Sequence, residues 1–172
     1  MKNIILIGMS GTGKTTVGKN LSSKLGMEFL DTDIFIEQME KNKIEDIFSL
    51  YGEAYFRRLE SCAIDKLYEK ENIIISTGGG MILSDKFIKL KEKGIAILLE
   101  SSIDNIVNNI KNSTTVRPLL NNQENLYERI NTLYNNRKKT YKFLADFTIF
   151  VDNKSIDLIV YEILEKCVKI NS

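Results

Sequence analysis

The chain has 172 residues, about one domain's worth, with 43% hydrophobic residues to build a core and no long stretch polar enough to stay disordered. Its 24 Lys and Arg nearly balance 23 Asp and Glu, and a formal charge of +1 gives no field for nucleic acid or a membrane surface, so any anion must be held by placed residues. There is no His, which excludes His triads, His metal ligands and His general bases and leaves proton chemistry to carboxylates.

The apolar run 2–7, KNIILI, reads as a strand and is too short for a signal peptide or a membrane span. It leads directly into GMSGTGKT, residues 8–15, and then into a helical pattern over 14–25. Gly8, Gly13, Lys14 and Thr15 satisfy GxxxxGK[ST], a match that average composition would produce in roughly one chain of this length in two hundred. Strand before and helix after are the setting this motif needs. Gly8, Gly11 and Gly13 let backbone N–H groups turn toward phosphates, and the helix N-terminus adds partial positive charge. Lys14 would reach the β- and γ-phosphates of ATP, and the Thr15 hydroxyl would ligate Mg²⁺.

A second strand, 27–31, closes in FLDTD. Residues i and i+2 of an extended chain point the same way, so Asp31 and Asp33 are expected to face one side beyond the strand's carboxyl end, where ligands bind in open α/β sheets. One division of labour gives Asp31 to Mg²⁺ through water and Asp33 to an acceptor hydroxyl. The alternative makes Asp33 a helix N-cap, and the two roles are compatible. Helices are expected over 34–50 and 53–70. In the second, Phe56, Leu59, Ala63 and Leu67 form the apolar stripe, with Arg57 on its shoulder and Glu53 and Glu60 at i−4 and i+3. A surface salt-bridge trio and a ligand role are equally open for Arg57; for Arg58 the surface salt bridge is the reading.

Strand 73–76 is followed at once by Gly78, Gly79 and Gly80, which permit a backbone-only wall against a small ligand. A helix over 85–93, a strand over 95–100 and a helix over 103–111 follow. Residues 112–125, NSTTVRPLLNNQEN, break the rhythm and read as a lid, with Arg117 held extended by Pro118. In the helix expected over 124–144, Leu126, Ile130, Leu133, Arg137 and Tyr141 share one stripe. An inward arginine needs a buried partner or a ligand. An anionic ligand is favoured over a structural pair, for which Asp146 is the available carboxylate. A last strand, 147–151, and a helix over 155–169 complete the pattern. Strands alternating with helices give a doubly wound, three-layer α/β/α fold with a five-stranded parallel sheet, in one domain over 1–172. Cys62 and Cys167 lie far apart, outside any CxxC pair, and read as packing thiols in a reducing, cytoplasmic compartment.

The set GMSGTGKT, FLDTD, GEAYFRRLE, STGGG, VRPLL and the R-x3-Y of Arg137 and Tyr141 resembles the shikimate kinase family in order and spacing along the whole chain. Many kinases share the P-loop, but the DTD, FRxxE and GGG set is far more specific. The resemblance implies a P-loop NTPase-type fold with a mobile lid. It implies Mg²⁺-dependent transfer of phosphate from ATP to shikimate, giving shikimate 3-phosphate in aromatic amino-acid biosynthesis. It also implies that Gly11, Thr12, Gly13, Lys14, Thr15 and Thr16 surround ATP, with Thr15 on Mg²⁺ and Asp31 nearby. Lys14, Asp33 and Arg117 would be catalytic, Asp33 on the shikimate hydroxyls and Arg117 closing on the ATP phosphates from the lid. Arg57 and Arg137 would hold the shikimate carboxylate, with the Gly79 backbone alongside.

Family members often carry arginines near the adenine; here those neighbourhoods read Ile110-Lys111 and Asn153-Lys154, leaving Asn153 as the candidate contact. A monomer with small-molecule substrates, and neither nucleic acid nor membrane as partner, is expected. The alternatives are a gluconate-type or nucleoside-monophosphate kinase, or a nucleotide-dependent binding protein without turnover. The DTD–FRxxE–GGG set offers little for a base. The complete set of Lys14, Thr15, Asp31, Asp33 and Arg117 argues against lost turnover.

Overall fold

The apolar runs form one parallel sheet of β1 (Asn3–Ile7), β2 (Glu28–Asp31), β3 (Ile73–Ser76), β4 (Gly94–Glu100) and β5 (Phe147–Phe150), in the order β2-β3-β1-β4-β5. The computed structural model describes residues 2–113, 118–120 and 125–171. β1 is central, with Ile5 opposite Ile75 on one side and Ala96 on the other. Its residues 4–7 are at most 3% exposed, as expected for a strand covered on both faces. Successive residues enter different layers: Ile5, Ile7, Ile73, Ile75 and Leu98 join one core, and Ile4, Leu6, Ile74, Ile97 and Leu99 the other.

Helices α1 (Lys14–Leu25) and α7 (Ile156–Asn171) cover the second core. The first core is covered by α2 (Thr32–Glu40), α3 (Ile44–Tyr68), α4 (Phe87–Glu92), α5 (Ile103–Lys111) and α6 (Leu126–Leu144). Strand order accounts for this partition. The chain leaves β1 outward to β2, then reverses through β3 toward β4 and β5, and right-handed crossovers in opposite directions lie on opposite faces. The loops after the adjacent strands β1 and β3 therefore diverge, opening a crevice at their carboxyl ends.

Two expectations need correction here. The helix expected over 34–50 is broken: α2 stops at Glu40, Lys41 turns left-handed (φ 54), and α3 starts at Ile44, whereas the division expected between 50 and 53 is present as the kink at Gly52 (φ 76, ψ 176) inside α3. Apolar residues recur on both sides of the 41–43 break, so periodicity alone hides it. Cys62 is exposed and does not pack in a core; Cys167 is half-buried, and burial pushes its thiol up. Among the described residues, no helix is long and apolar enough to cross a membrane.

Candidate active site

The loop between β1 and α1 is a phosphate cradle by construction. Gly13 caps α1 in the left-handed region (φ 86) with no side chain over the helix N-terminus, and the first turn holds no acid. The first N–H groups of α1 thus keep their partial positive charge toward the crevice. Lys14 is 7% exposed and curls over the loop, its Nζ donating to the carbonyls of Gly8 at 2.9 Å and Met9 at 2.8 Å. Thr12 is buried, and its hydroxyl donates to the Met9 carbonyl at 2.9 Å, so it faces the loop's interior. Thr15 and Thr16 are exposed at the cleft, and the Thr15 hydroxyl donates to Asp31 Oδ2 at 2.8 Å.

Asp31, at the end of β2, is itself the N-cap of α2: its Oδ1 accepts from the Asp33 N–H at 3.1 Å. This rules out the alternative in which Asp33 caps the helix and corrects the extended i, i+2 geometry, although both carboxylates do line the same cleft. Asp33 sits in the first turn of α2, half-buried, with its carboxylate against Gly78. A Cβ on Gly78 would lie 2.5 Å from Asp33 Oδ1. Gly78 in turn donates its N–H to the buried hydroxyl of Thr32 at 2.8 Å, fastening the glycine segment to α2.

Across the same segment stand the two arginines. Arg57 donates through Nη1 to Glu60 Oε2 at 2.6 Å, and through Nη2 and Nε to Glu53 Oε1 at 2.8 and 3.2 Å. Burial works against its charge, but Glu60 and Glu53 outweigh that and hold the guanidinium above its usual range. Glu60 is 2% exposed; burial pushes its carboxyl up, while Arg57 and then Arg137 pull the other way. A Cβ on Gly80 would fall within the Arg57 guanidinium, so glycine there is a condition of the arginine's placement. Arg58 is exposed and lies over the Tyr55 ring, and Glu53 and Glu60 pair with Arg57 and not with it, so the surface salt bridge expected for Arg58 is replaced by a ring contact.

Arg137, 7% exposed, donates from Nη1 to the Gly79 carbonyl at 3.1 Å. Asp146 is not its partner: that carboxylate takes Lys91 Nζ and the Ala96 N–H, each at 2.8 Å. One cleft of about 880 Å³ is lined by Lys14, Thr15, Thr16, Asp31, Asp33, Arg57, Arg137 and residues 78–80, with Gly11 and Gly13 at the loop.

Some predicted and unpredicted residues fall elsewhere. Arg117 lies outside the described residues. Of the segment 112–125 read as a lid, residues 114–117 and 121–124 lie outside the described residues; Pro118–Leu120 forms a short 3₁₀ turn, and Ser113, Pro118 and Leu119 reach the cleft. Asn153 is exposed in the turn after β5 with φ 57, and is not among the residues lining the cleft. Sequence reasoning left out the apolar wall made by Phe48 and Phe56, whose ring centroids are 4.7 Å apart. Phe56 was legible only as a core residue. Asn109 was also left out; its side chain donates to the Gly11 carbonyl at 2.8 Å, and nothing in local spacing signals that contact.

An uncapped glycine-loop helix beside paired carboxylates and inward arginines, on a parallel sheet of this order, defines an ATP-dependent P-loop kinase. The family model for shikimate kinase matches residues 10–168. Shikimate kinase of Alkaliphilus oremlandii is 40% identical over 165 residues, covering 95% of this chain and 98% of that protein. That of Caldanaerobacter subterraneus subsp. tengcongensis is 40% identical over 171 residues, covering 99% and 98%. The solved structure of shikimate kinase from Acinetobacter baumannii in complex with shikimate superposes with a TM-score of 0.93 at 31% identity, covering 98% of this chain and 94% of that one. A gluconokinase from Sinorhizobium meliloti (TM-score 0.58, 15% identity, 98% and 93% covered) shares the fold alone. The chain belongs to the shikimate kinase family.

Proposed function

We propose that the chain transfers the γ-phosphoryl group of ATP to the 3-hydroxyl of shikimate, giving ADP and shikimate 3-phosphate for aromatic amino-acid biosynthesis. One observation carries this reading. Arg57 and Arg137 meet the wall of residues 78–80 beside the Asp33 carboxylate, in the same cleft as the P-loop. Two guanidinium groups suit a carboxylate, and a lone carboxylate suits a hydroxyl. Shikimate carries both.

In this reading Arg57 and Arg137 hold the acceptor carboxylate and the Gly79 backbone contacts the acceptor. Asp33 accepts the proton of the 3-hydroxyl while its oxygen bonds to the γ-phosphorus. The bond from that phosphorus to the β–γ bridging oxygen breaks, and its electron pair leaves with ADP. Lys14 exchanges its two loop carbonyls for β- and γ-phosphate oxygens. Gly11, Thr12, Gly13 and Thr16 complete the nucleotide contacts, Arg117 closes from the lid over about 112–125, and Asn153 meets adenine. The Thr15 hydroxyl and Asp31 carboxylate, hard oxygen donors 2.8 Å apart, fit Mg²⁺, which takes one or two protein oxygens and keeps several waters. Bound there, Mg²⁺ would neutralise charge on the β- and γ-phosphates.

The same reading takes residues 1–172 as one monomeric domain in the cytoplasm, with small-molecule partners and neither nucleic acid nor membrane. The near-neutral charge and two free thiols support it. A coupled ADP-release assay with shikimate, gluconate and CMP as acceptors tests the substrate. Shikimate alone is expected to stimulate turnover; stimulation by another acceptor and none by shikimate would overturn the assignment.

A further inference from the structure

Tyr141 closes the inward stripe of α6 and is 1% exposed. It stands four residues beyond Arg137, so the two side chains lie one above the other on the same helix face. Both donate to a single atom: the Tyr141 hydroxyl reaches the Gly79 carbonyl oxygen at 2.5 Å, and Arg137 Nη1 reaches it at 3.1 Å. A carbonyl oxygen has two lone pairs, so this one is filled entirely from α6. Burial pushes the phenol up to about 12 against the opposing pull of Arg137, so the hydroxyl stays a donor throughout the working pH range.

Three successive glycines have no side chains to hold one conformation, so their shape must be set from outside. A peptide unit is planar and trans, and pinning the Gly79 oxygen toward α6 turns the Gly80 N–H to the opposite side. Among the described residues, no backbone acceptor is bonded to the N–H of Gly79 or Gly80, and both residues line the cleft. Gly78, by contrast, is tied to Thr32. The bond from Tyr141 therefore completes the fixing of a wall whose first residue is held by α2.

We propose that Tyr141 is a positioning residue of the acceptor site. Its hydroxyl locks the peptide between Gly79 and Gly80 into one orientation and takes the shorter of the two bonds to Gly79. Arg137, fastened to the same oxygen, is thereby held in one direction beside the wall. The inference rests on reading the cleft as a shikimate site, and it adds a residue that would never touch shikimate.

Tyr141→Phe keeps the ring in its packed place and removes only the O–H. Steady-state kinetics with shikimate and ATP, run beside the wild type, and thermal unfolding of both proteins provide the test. Loss of one buried hydrogen bond predicts a KM for shikimate raised about three- to tenfold, with kcat and the KM for ATP each within about twofold. An unchanged KM for shikimate would overturn the inference. So would a rise in both KM values together with a lowered unfolding midpoint, which would make Tyr141 a structural pillar. If the wild type itself failed to use shikimate, the acceptor assignment would fall first and this inference with it. Wild-type turnover with an unaltered Tyr141→Phe overturns the inference alone.

Discussion

Arg57 and Arg137 face the same glycine wall but are held in different ways. Arg57 is locked by two glutamates, one of them almost fully buried, so its charge is compensated before any ligand arrives. Arg137 is fastened to a neutral carbonyl and is the weaker of the two cations acting on Glu60, so its charge is less compensated. The second arrangement has more to gain from an anion. Arg137→Leu should therefore raise the KM for shikimate by about ten- to a hundredfold while leaving that for ATP within a few fold. Equal effects on both substrates in steady-state kinetics would make Arg137 a packing residue. Asp33 stands on the other side of the wall, in a helix whose cap is already supplied by Asp31. Its carboxylate is thus not needed for the cap, and Asp33→Asn should lower kcat by about 10²- to 10⁴-fold with an unaltered unfolding midpoint. Near-normal turnover would remove Asp33 from the proton transfer.

At the scale of elements, the carboxyl ends of neighbouring strands are stitched by side chains. After β5, Asp152 accepts from the Ser101 hydroxyl, from the Ser102 N–H at 3.0 Å and from Asn105 Nδ2 at 3.1 Å, tying that end of the sheet to the start of α5. Burial alone would raise this carboxyl, but these hydrogen bonds overcome it and hold it below its ordinary value of 3.8. A depressed folded value means that the stabilisation is complete above about pH 4 and is lost as pH falls through that lower value. Asp152→Asn should lower the melting temperature at pH 7, and its melting temperature should then fall less steeply than the wild type's on acidification below pH 4. Parallel acid limbs for the two proteins in thermal melts would contradict this.

What was legible at this scale follows from the same physics. Isoleucine runs, the glycine loop and the stripe of α6 announce themselves through local pattern, so the strands, the P-loop helix and inward Arg137 could all be read from sequence. The break at 41–43 could not, because Lys41 adopts its left-handed turn between two segments of continuous apolar spacing. Nor could the pairing of Asp146 with Lys91, or Asn109 with Gly11, since each joins residues more than fifty apart.

Across the whole molecule, a single reversal in strand order puts the donor loop after β1 and the glycine wall after β3 side by side. The phosphate cradle and the acceptor wall come from separate elements, joined because Thr32 on α2 bonds Gly78 and Thr15 on α1 bonds Asp31. In the proposed reading that is a two-substrate cleft, built at the carboxyl ends of the central strands. Phosphorus NMR of the product formed from ATP and shikimate tests this account most directly, because it reads acceptor and position together. The account predicts one new phosphomonoester signal coupled to the ring proton at carbon 3, formed in step with ADP. No new monoester, or one on a different hydroxyl, would contradict it.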